Sequence, residues 1–221
     1  MPLSMSYFTK MKSSQNYCKM VFLGYTILFI CQCSTFSGIC EIGDCKEGTG
    51  RVILEDGSEY EGDFSKGRMQ GLGVLTYPNR ERYEGSFYAN KPDGSGIFYS
   101  LEGFQIRGEF EDGLPVGKII ITYSNGNSFE GALVDGKKTG LGIYRYASGE
   151  IFEGSYLEDK RNGPGKYIDR SKNILEGNWK DNHLEGRAVL KSPHGRVILD
   201  GIWEDNLWKE HAVLGSKSES P

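Results

Sequence analysis

Seven times this chain repeats one three-residue group: a large apolar residue, a charged residue, then glycine. The group reads Tyr60-Glu61-Gly62, Tyr83-Glu84-Gly85, Ile106-Arg107-Gly108, Phe129-Glu130-Gly131, Phe152-Glu153-Gly154, Leu175-Glu176-Gly177 and Leu199-Asp200-Gly201. The interval is 23 residues five times and 24 once. A fixed period of this size means one small unit stacked on itself, and it leaves little sequence for anything else.

The unit can be read by position. The first and fifth residues are large and mostly aromatic, the fifth being Phe64, Phe87, Phe110, Leu133, Tyr156, Trp179 and Trp203. In a strand, positions one, three and five share a face. That face then carries a large residue, a gap and a large residue, and the gap lets a neighbouring ring lie over the backbone. The eighth position is Gly67, Asn90, Gly113, Gly136, Asp159, Asn182 or Asn206, all types that tolerate positive φ. Asp112-Gly113 and Asp135-Gly136 are hairpin-turn dipeptides. Glycine returns at position twelve (Gly71, Gly94, Gly117, Gly140, Gly163, Gly186) and usually at fourteen (Gly73, Gly96, Gly142, Gly165). A second strand and a further turn, such as Ser124-Asn125-Gly126, lead to the next unit. Each unit therefore reads as a β-hairpin, marginal alone and stable when stacked edge to edge.

These residues resemble the MORN repeat family. The match is carried by Tyr60-Glu61-Gly62-Asp63-Phe64 through Gly67 to Gly71-Leu72-Gly73 and Tyr77, and by their equivalents. It implies an all-β fold: an elongated, single-layer, twisted antiparallel sheet of stacked β-hairpin repeats, about a dozen strands or more, spanning roughly 60 Å. The expected organisation is a signal or anchor over 1–36, a repeat array over 37–206, and a C-terminal cap and disordered tail over 207–221. The array comprises a half unit, six full units from 60 to 198 and a terminal strand. Ile119 and Ala188 replace the fourteenth glycine, Arg80 and Lys172 replace the glycine before the next unit, and one extra residue stands near Pro193-His194. Local bulges or looser turns are expected there. The glycines Gly62, Gly85, Gly108, Gly131, Gly154, Gly177 and Gly201 are expected to be structural. Tyr60, Phe64, Tyr83, Phe87, Phe110, Phe129, Phe152, Tyr156, Trp179 and Trp203 are expected to form an aromatic stripe, only partly covered, that serves as an interaction face.

Residues 1–36 differ in composition, with three lysines and no acidic residue. Met20 to Cys31 is an apolar run of twelve, short for a membrane span and suited to an export signal. Met11 is a candidate start. Cysteines follow at Cys31, Cys33, Cys40 and Cys45. An apolar run ending at cysteine resembles a bacterial lipoprotein signal, with Cys33 or Cys31 as the lipidated residue. A cleaved signal and an uncleaved anchor helix remain alternatives. If everything before Cys33 is removed, Cys40 and Cys45 are left as a candidate disulfide pair.

No catalytic, cofactor or metal site is expected. The Gly-x-Gly groups lead into strands, whereas a dinucleotide loop opens a helix. His183, His194 and His211 have no ligand spacing to one another. The acidic second positions read as solvent-facing. The chain carries −4, and −7 without residues 1–36, which disfavours nucleic acid. Basic residues at Arg68, Lys91, Lys137 and Lys160, with Lys138 and Arg161 nearby, are expected along one rim. Three functions follow as expectations. The first is a non-catalytic interaction or scaffold protein, exported and membrane-associated on the extracytoplasmic side, contacting a protein partner or its own copy. The second is a peripheral module that binds anionic lipid through the basic rim. The third is a regulatory partner of an enzyme acting in trans. No small-molecule substrate is expected.

Overall fold

The computed structural model describes residues 37–211. The expected lipidation sites Cys31 and Cys33, and the signal or anchor as a whole, lie outside the described residues. So do residues 212–221.

Sixteen strands form one open antiparallel sheet in which every strand pairs with its sequence neighbours. They are β1 Gly38–Gly43, β2 Gly48–Leu54, β3 Glu59–Ser65, β4 Arg68–Thr76, β5 Arg82–Tyr88, β6 Lys91–Tyr99, β7 Gln105–Glu111 and β8 Leu114–Thr122. They continue with β9 Ser128–Val134, β10 Lys137–Arg145, β11 Ile151–Leu157, β12 Lys160–Ile168, β13 Ile174–Lys180, β14 His183–Lys191, β15 Val197–Glu204 and β16 Leu207–His211. Among the described residues there is no helix. Residues 207–211, expected as part of a cap, instead add the last strand by pairing with β15. The chain divides into two compact units, with the boundary after Ile119.

Two kinds of turn alternate along the chain. Within each repeat, a two-residue loop has positive φ at both central residues, as at Lys66 (52°) and Gly67 (66°), or Ala89 (49°) and Asn90 (73°). This is the turn whose twist matches that of the flanking strands. Between repeats, a five-residue loop closes with two backbone bonds: Tyr77 N–H donates to Glu81 O (2.8 Å) and Arg80 N–H to Tyr77 O (2.8 Å). Arg80 (φ 68°) and Lys172 (φ 65°) hold the left-handed conformation that Gly57, Gly103, Gly126, Gly149 and Gly195 hold in the other loops. These turns are therefore not looser, as expected, but keep the same geometry at some steric cost. The extra residue near Pro193 also leaves its loop unchanged, since Ser192 and Gly195 make the usual bonds. It is absorbed in β15, where Leu190 pairs with Leu199 and Lys191 with Val197, so Ile198 bulges.

Bulges are a regular part of the repeat, not confined to its departures. In β3–β4, Gly62 pairs with Gly73 but Phe64 pairs with Met69. The longer strand thus carries two additional residues around Gly71, whose φ is +75°. The same offset recurs in β5–β6, β9–β10, β11–β12 and β13–β14. A bulge bends its strand and increases local twist, which brings rings from successive hairpins together on one face.

In the unit ending at Ile119, those rings interlock. Tyr60 meets Phe64 and Phe87 edge-on at 5.2 and 4.8 Å, and Tyr83 meets Phe87 and Phe110 at 5.3 and 4.9 Å. In the unit from Ile120, Phe152 meets Tyr156 and Trp179 in the same way at 5.6 and 5.0 Å. Each buried ring contributes roughly 1.5–3 kcal/mol, and each edge-to-face pair about 1 kcal/mol more.

Candidate functional site

The expected aromatic stripe is not an exposed face. Tyr60, Tyr83, Phe129 and Phe152 have no exposed surface, and Phe64, Phe87, Phe110, Tyr156 and Trp179 are exposed by 6% or less. Only Trp203 is half-buried. The rings cover one another and lie on glycine backbone, so a single sheet builds its own core. Tyr60 packs against Gly62 and Gly73, Tyr83 against Gly85 and Gly96, Phe129 against Gly131 and Gly142, and Phe152 against Gly154 and Gly165. The hydroxyls of Tyr60 and Tyr83 donate to the carbonyls of Asp63 (2.9 Å) and Ser86 (3.1 Å).

Cys40 and Cys45 are joined by a disulfide. Cys40 pairs with Val52 as Tyr60 pairs with Leu75, and Gly43 pairs with Gly50 as Gly62 pairs with Gly73. The sulfur of Cys45 lies over Gly50. At this sheet end the disulfide takes the place that a ring pair takes in the repeats.

The basic rim is largely neutralised from within. Lys91 Nζ reaches Asp112 at 2.6 Å, Lys137 Nζ reaches Glu158 at 3.3 Å, and Lys160 Nζ reaches Asp181 at 2.8 Å. Each acid belongs to the turn of the next hairpin. His183 Nδ1 lies 3.4 Å from Asp205 in the same arrangement. On the outer face two of the acidic second positions are closely paired as well: Glu176 with Lys191 and Asp200 with Arg187.

A second staple joins the tenth residue of one repeat to the eighth of the next. Asn90 accepts from Met69 N–H (2.8 Å) and donates its own N–H to Met69 O (3.1 Å). Asp159 holds Lys138, Asn182 holds Arg161 and Asn206 holds Leu184 alike. Where the tenth residue is Pro92, with no N–H to offer, its partner is Gly113, with no acceptor side chain. Lys138 is buried, with its Nζ 3.1 Å from Asp159 and lying over the Tyr123 and Phe129 rings. The hydroxyl of Tyr123 and Oδ2 of Asp159 are buried without a hydrogen-bond partner.

From β10 onward the inner face is less covered. Leu75 and Phe98 are buried, whereas Tyr144, Tyr167, Leu175 and Leu190, which occupy equivalent or adjoining rows, are half-buried. Tyr144 and Tyr146 rings lie 4.8 Å apart. Arg161 stands directly opposite Tyr156. Its guanidinium sits over Phe152 at 5.3 Å and donates to Asn182 O at 2.7 Å. Burial raises the phenol pKa values of Tyr146, Tyr156 and Tyr167, and the Arg161 charge opposes that rise in each. Sequence reasoning placed Arg161 on the rim and missed this shelf, because burial depends on which rings cover which row.

Among the described residues there is no group of three or more His, Cys, Asp or Glu that could hold a metal ion. A cavity of about 40 Å³ lies between Ser58, Met69, Tyr77, Asn90 and Pro92. It has room for little beyond water.

A sheet assembled from bulged hairpins, each stapled to the next and sealed by rings on glycine, defines a β-repeat protein. The MORN repeat model matches residues 60–82, 83–100, 107–128, 129–151, 152–174 and 176–195, and the chain belongs to that family. No curated protein matches the sequence. Among solved structures, the chain is similar to the TCP domain of Drosophila Melanogaster SAS-4 (dCPAP), solved with a proline-rich motif. That match has 12% identity and a TM-score of 0.49, covering 72% of this chain and 87% of the other. It is similar also to the G-box domain of the microcephaly protein CPAP, at 11% identity and a TM-score of 0.43, covering 73% and 90%.

Proposed function

We propose that this MORN repeat protein is a non-catalytic interaction module, exported and held at a membrane by its N-terminal segment. The observation that carries the interaction reading is the half-covered inner face at Tyr144, Tyr146, Tyr167, Leu175 and Leu190. An apolar surface rimmed by polar groups favours a protein contact. The disulfide between Cys40 and Cys45 supports an oxidising compartment, and the basic, then apolar, character of residues 1–36 supports export.

The paired rim lysines count against binding to anionic lipid. A lysine already engaged at 2.6–3.3 Å with a carboxylate has little charge left to offer a head group.

The reading is tested by crosslinking the full chain in its native membrane fraction and mapping the products. Crosslinks clustered on Tyr144, Tyr146 and Tyr167, and lost in Tyr167→Ala, are expected. A chain that yields no crosslink there and binds acidic liposomes in a salt-sensitive way would overturn it. The anchor is tested separately by intact mass, with an acylated cysteine expected at the mature N-terminus. A mass retaining the whole N-terminal segment without acyl addition would overturn lipidation.

A further inference from the structure

The repeat supplies its own control for the charge at its tenth position. Lys138 and Arg161 occupy that position in successive hairpins, and both are stapled to the eighth residue of the next. For Lys138 that residue is Asp159, whose carboxylate sits 3.1 Å from the ammonium. For Arg161 it is Asn182, which offers a neutral amide and a carbonyl. The other tenth residues that can be compared, Met69, Pro92 and Leu184, are uncharged. Arg161 is thus a cation on the inner face whose built-in partner carries no charge.

Its surroundings would strengthen an added ion pair. Arg161 is half-buried, its guanidinium fixed by Asn182 O and by the Phe152 ring. Preorganised, partly desolvated arginine binds carboxylate with two parallel bonds and without losing much rotamer freedom. The two acids that act on Tyr167 together with Arg161 are otherwise engaged. Glu150 is paired with Arg170 at 2.7 Å, and Asp169 accepts from Asn173 twice, at 2.8 Å each. Half-buried Tyr146 and Tyr167 offer rings on which the flanking residues of an extended chain can rest.

We infer that Arg161, with Tyr146 and Tyr167, is a docking site for an acidic side chain presented on an extended segment of a partner protein. The inference rests on the interaction reading and names the chemistry of the partner. The carboxylate supplies at Arg161 the charge that Asp159 supplies at Lys138, beside the Asn182 amide and not in its place.

The test is an NMR titration of the full chain, carrying labelled tyrosines, with acetyl-Val-Glu-Val-amide, its Gln counterpart and inorganic phosphate. The Glu peptide is expected to shift the Tyr146, Tyr156 and Tyr167 resonances saturably. The Gln peptide is expected to bind about tenfold more weakly or worse, as loss of one charge-assisted pair predicts. Arg161→Gln should abolish the response. Asn182→Asp supplies Arg161 with an internal carboxylate and should weaken the Glu peptide by about tenfold while the melting temperature stays equal or rises. Equal shifts from the Glu and Gln peptides would overturn the inference, as would undiminished binding by Asn182→Asp. Saturation by phosphate with no response to the Glu peptide would also overturn it. Mapped crosslinks at the inner face that survive such a result would leave the interaction reading standing and remove only the acidic partner.

Discussion

Ile119 fills the space above Gly108 that an aromatic ring fills in other repeats. A Cβ built on Gly108 would stand 2.7 Å from Cγ2 of Ile119, whereas one built on Gly131 would stand 2.6 Å from Cζ of Phe129. The first position of that repeat is Ile106, too small to reach across. Ala188 does the same above Gly177, where the first position is Leu175. Positions one and fourteen therefore trade volume: ring with glycine, aliphatic residue with aliphatic residue. Ile119→Gly should cost about 3–5 kcal/mol through the cavity it opens, and Ile106→Tyr alone about 1–3 kcal/mol through overpacking. The double variant should recover most of the loss. Urea unfolding of the three variants measures the coupling, and simple additivity would show that the two positions do not share this space.

Arg80 and Lys172 carry a second, smaller compensation. Both adopt positive φ in the loop between repeats, at 68° and 65°. For an L-residue with a long side chain this costs about 1–2 kcal/mol, partly offset by the lower entropy of the unfolded chain relative to glycine. Arg80→Gly and Lys172→Gly should each stabilise by about 0.5–1 kcal/mol. Gly126→Arg, at a position with φ 82°, should destabilise by a similar amount. Thermal melting compares the three, and a lower midpoint for the Arg80 and Lys172 variants would contradict the strain argument.

What was legible in the sequence follows from how local each cause is. Gly113, Asn90 and Asn182 announce a turn because few residues accept positive φ, and the turns are where they were expected. Lys66, Ala89 and Glu158 hold the first place of such loops, with φ of 52°, 49° and 48°, yet nothing in their chemistry marks them. A two-residue turn imposes that conformation whatever occupies its first position. Strand alternation put Tyr60, Gly62 and Phe64 on one face, but it says nothing of what lies above a face. The burial of Tyr60 under Phe87 is a contact between hairpins 27 positions apart in the chain. Gly71 was visible as a recurrence without a role, since a bulge is a property of two strands in register. The shelf at Arg161 was hidden for a related reason. Its character depends on Asn182 standing where Asp159 stands one repeat earlier, a comparison that needs the staple to be known first.

Alkaline pH should act on the ring core through Tyr83. Burial, reinforced by the charges of Asp93 and Glu109, pushes its phenol up to about 12, against about 10 in an unfolded chain. The unfolded state therefore loses its proton first. The stability associated with the neutral phenol is complete below pH about 10 and falls as pH rises towards about 12, by at most about 1.4 kcal/mol per pH unit. Tyr60, Tyr77, Tyr123 and Tyr156 are raised further, again chiefly by burial. Phenolate absorbance should thus lag behind that of free tyrosine and then rise together with loss of the near-ultraviolet dichroism of the fold. Ionisation of every tyrosine near pH 10 with the sheet intact would show that these rings reach solvent.

Buried Lys138 and half-buried Asp159 form an ion pair where the first repeat manages with Met69 and Asn90. Both pairs use the same staple: the eighth-position side chain accepts from the tenth-position N–H, at 3.0 Å in one case and 2.8 Å in the other. Only the charge differs. Desolvating an ammonium and a carboxylate costs several kcal/mol each, which their attraction offsets only with good geometry and full hydrogen bonding. Here Oδ2 of Asp159 has no hydrogen-bond partner. Lys138→Met alone should cost up to about 3 kcal/mol, because it strands a carboxylate whose Oδ2 is buried without a partner. Lys138→Met combined with Asp159→Asn converts this staple to the form found at Met69 and Asn90. It should be at least as stable as the natural chain, by up to about 1–4 kcal/mol. Chemical denaturation of the natural chain, the single variant and the double variant decides the matter. A double variant no more stable than the single would mean that the charges themselves, and not the backbone staple they share with the first repeat, hold these two hairpins together.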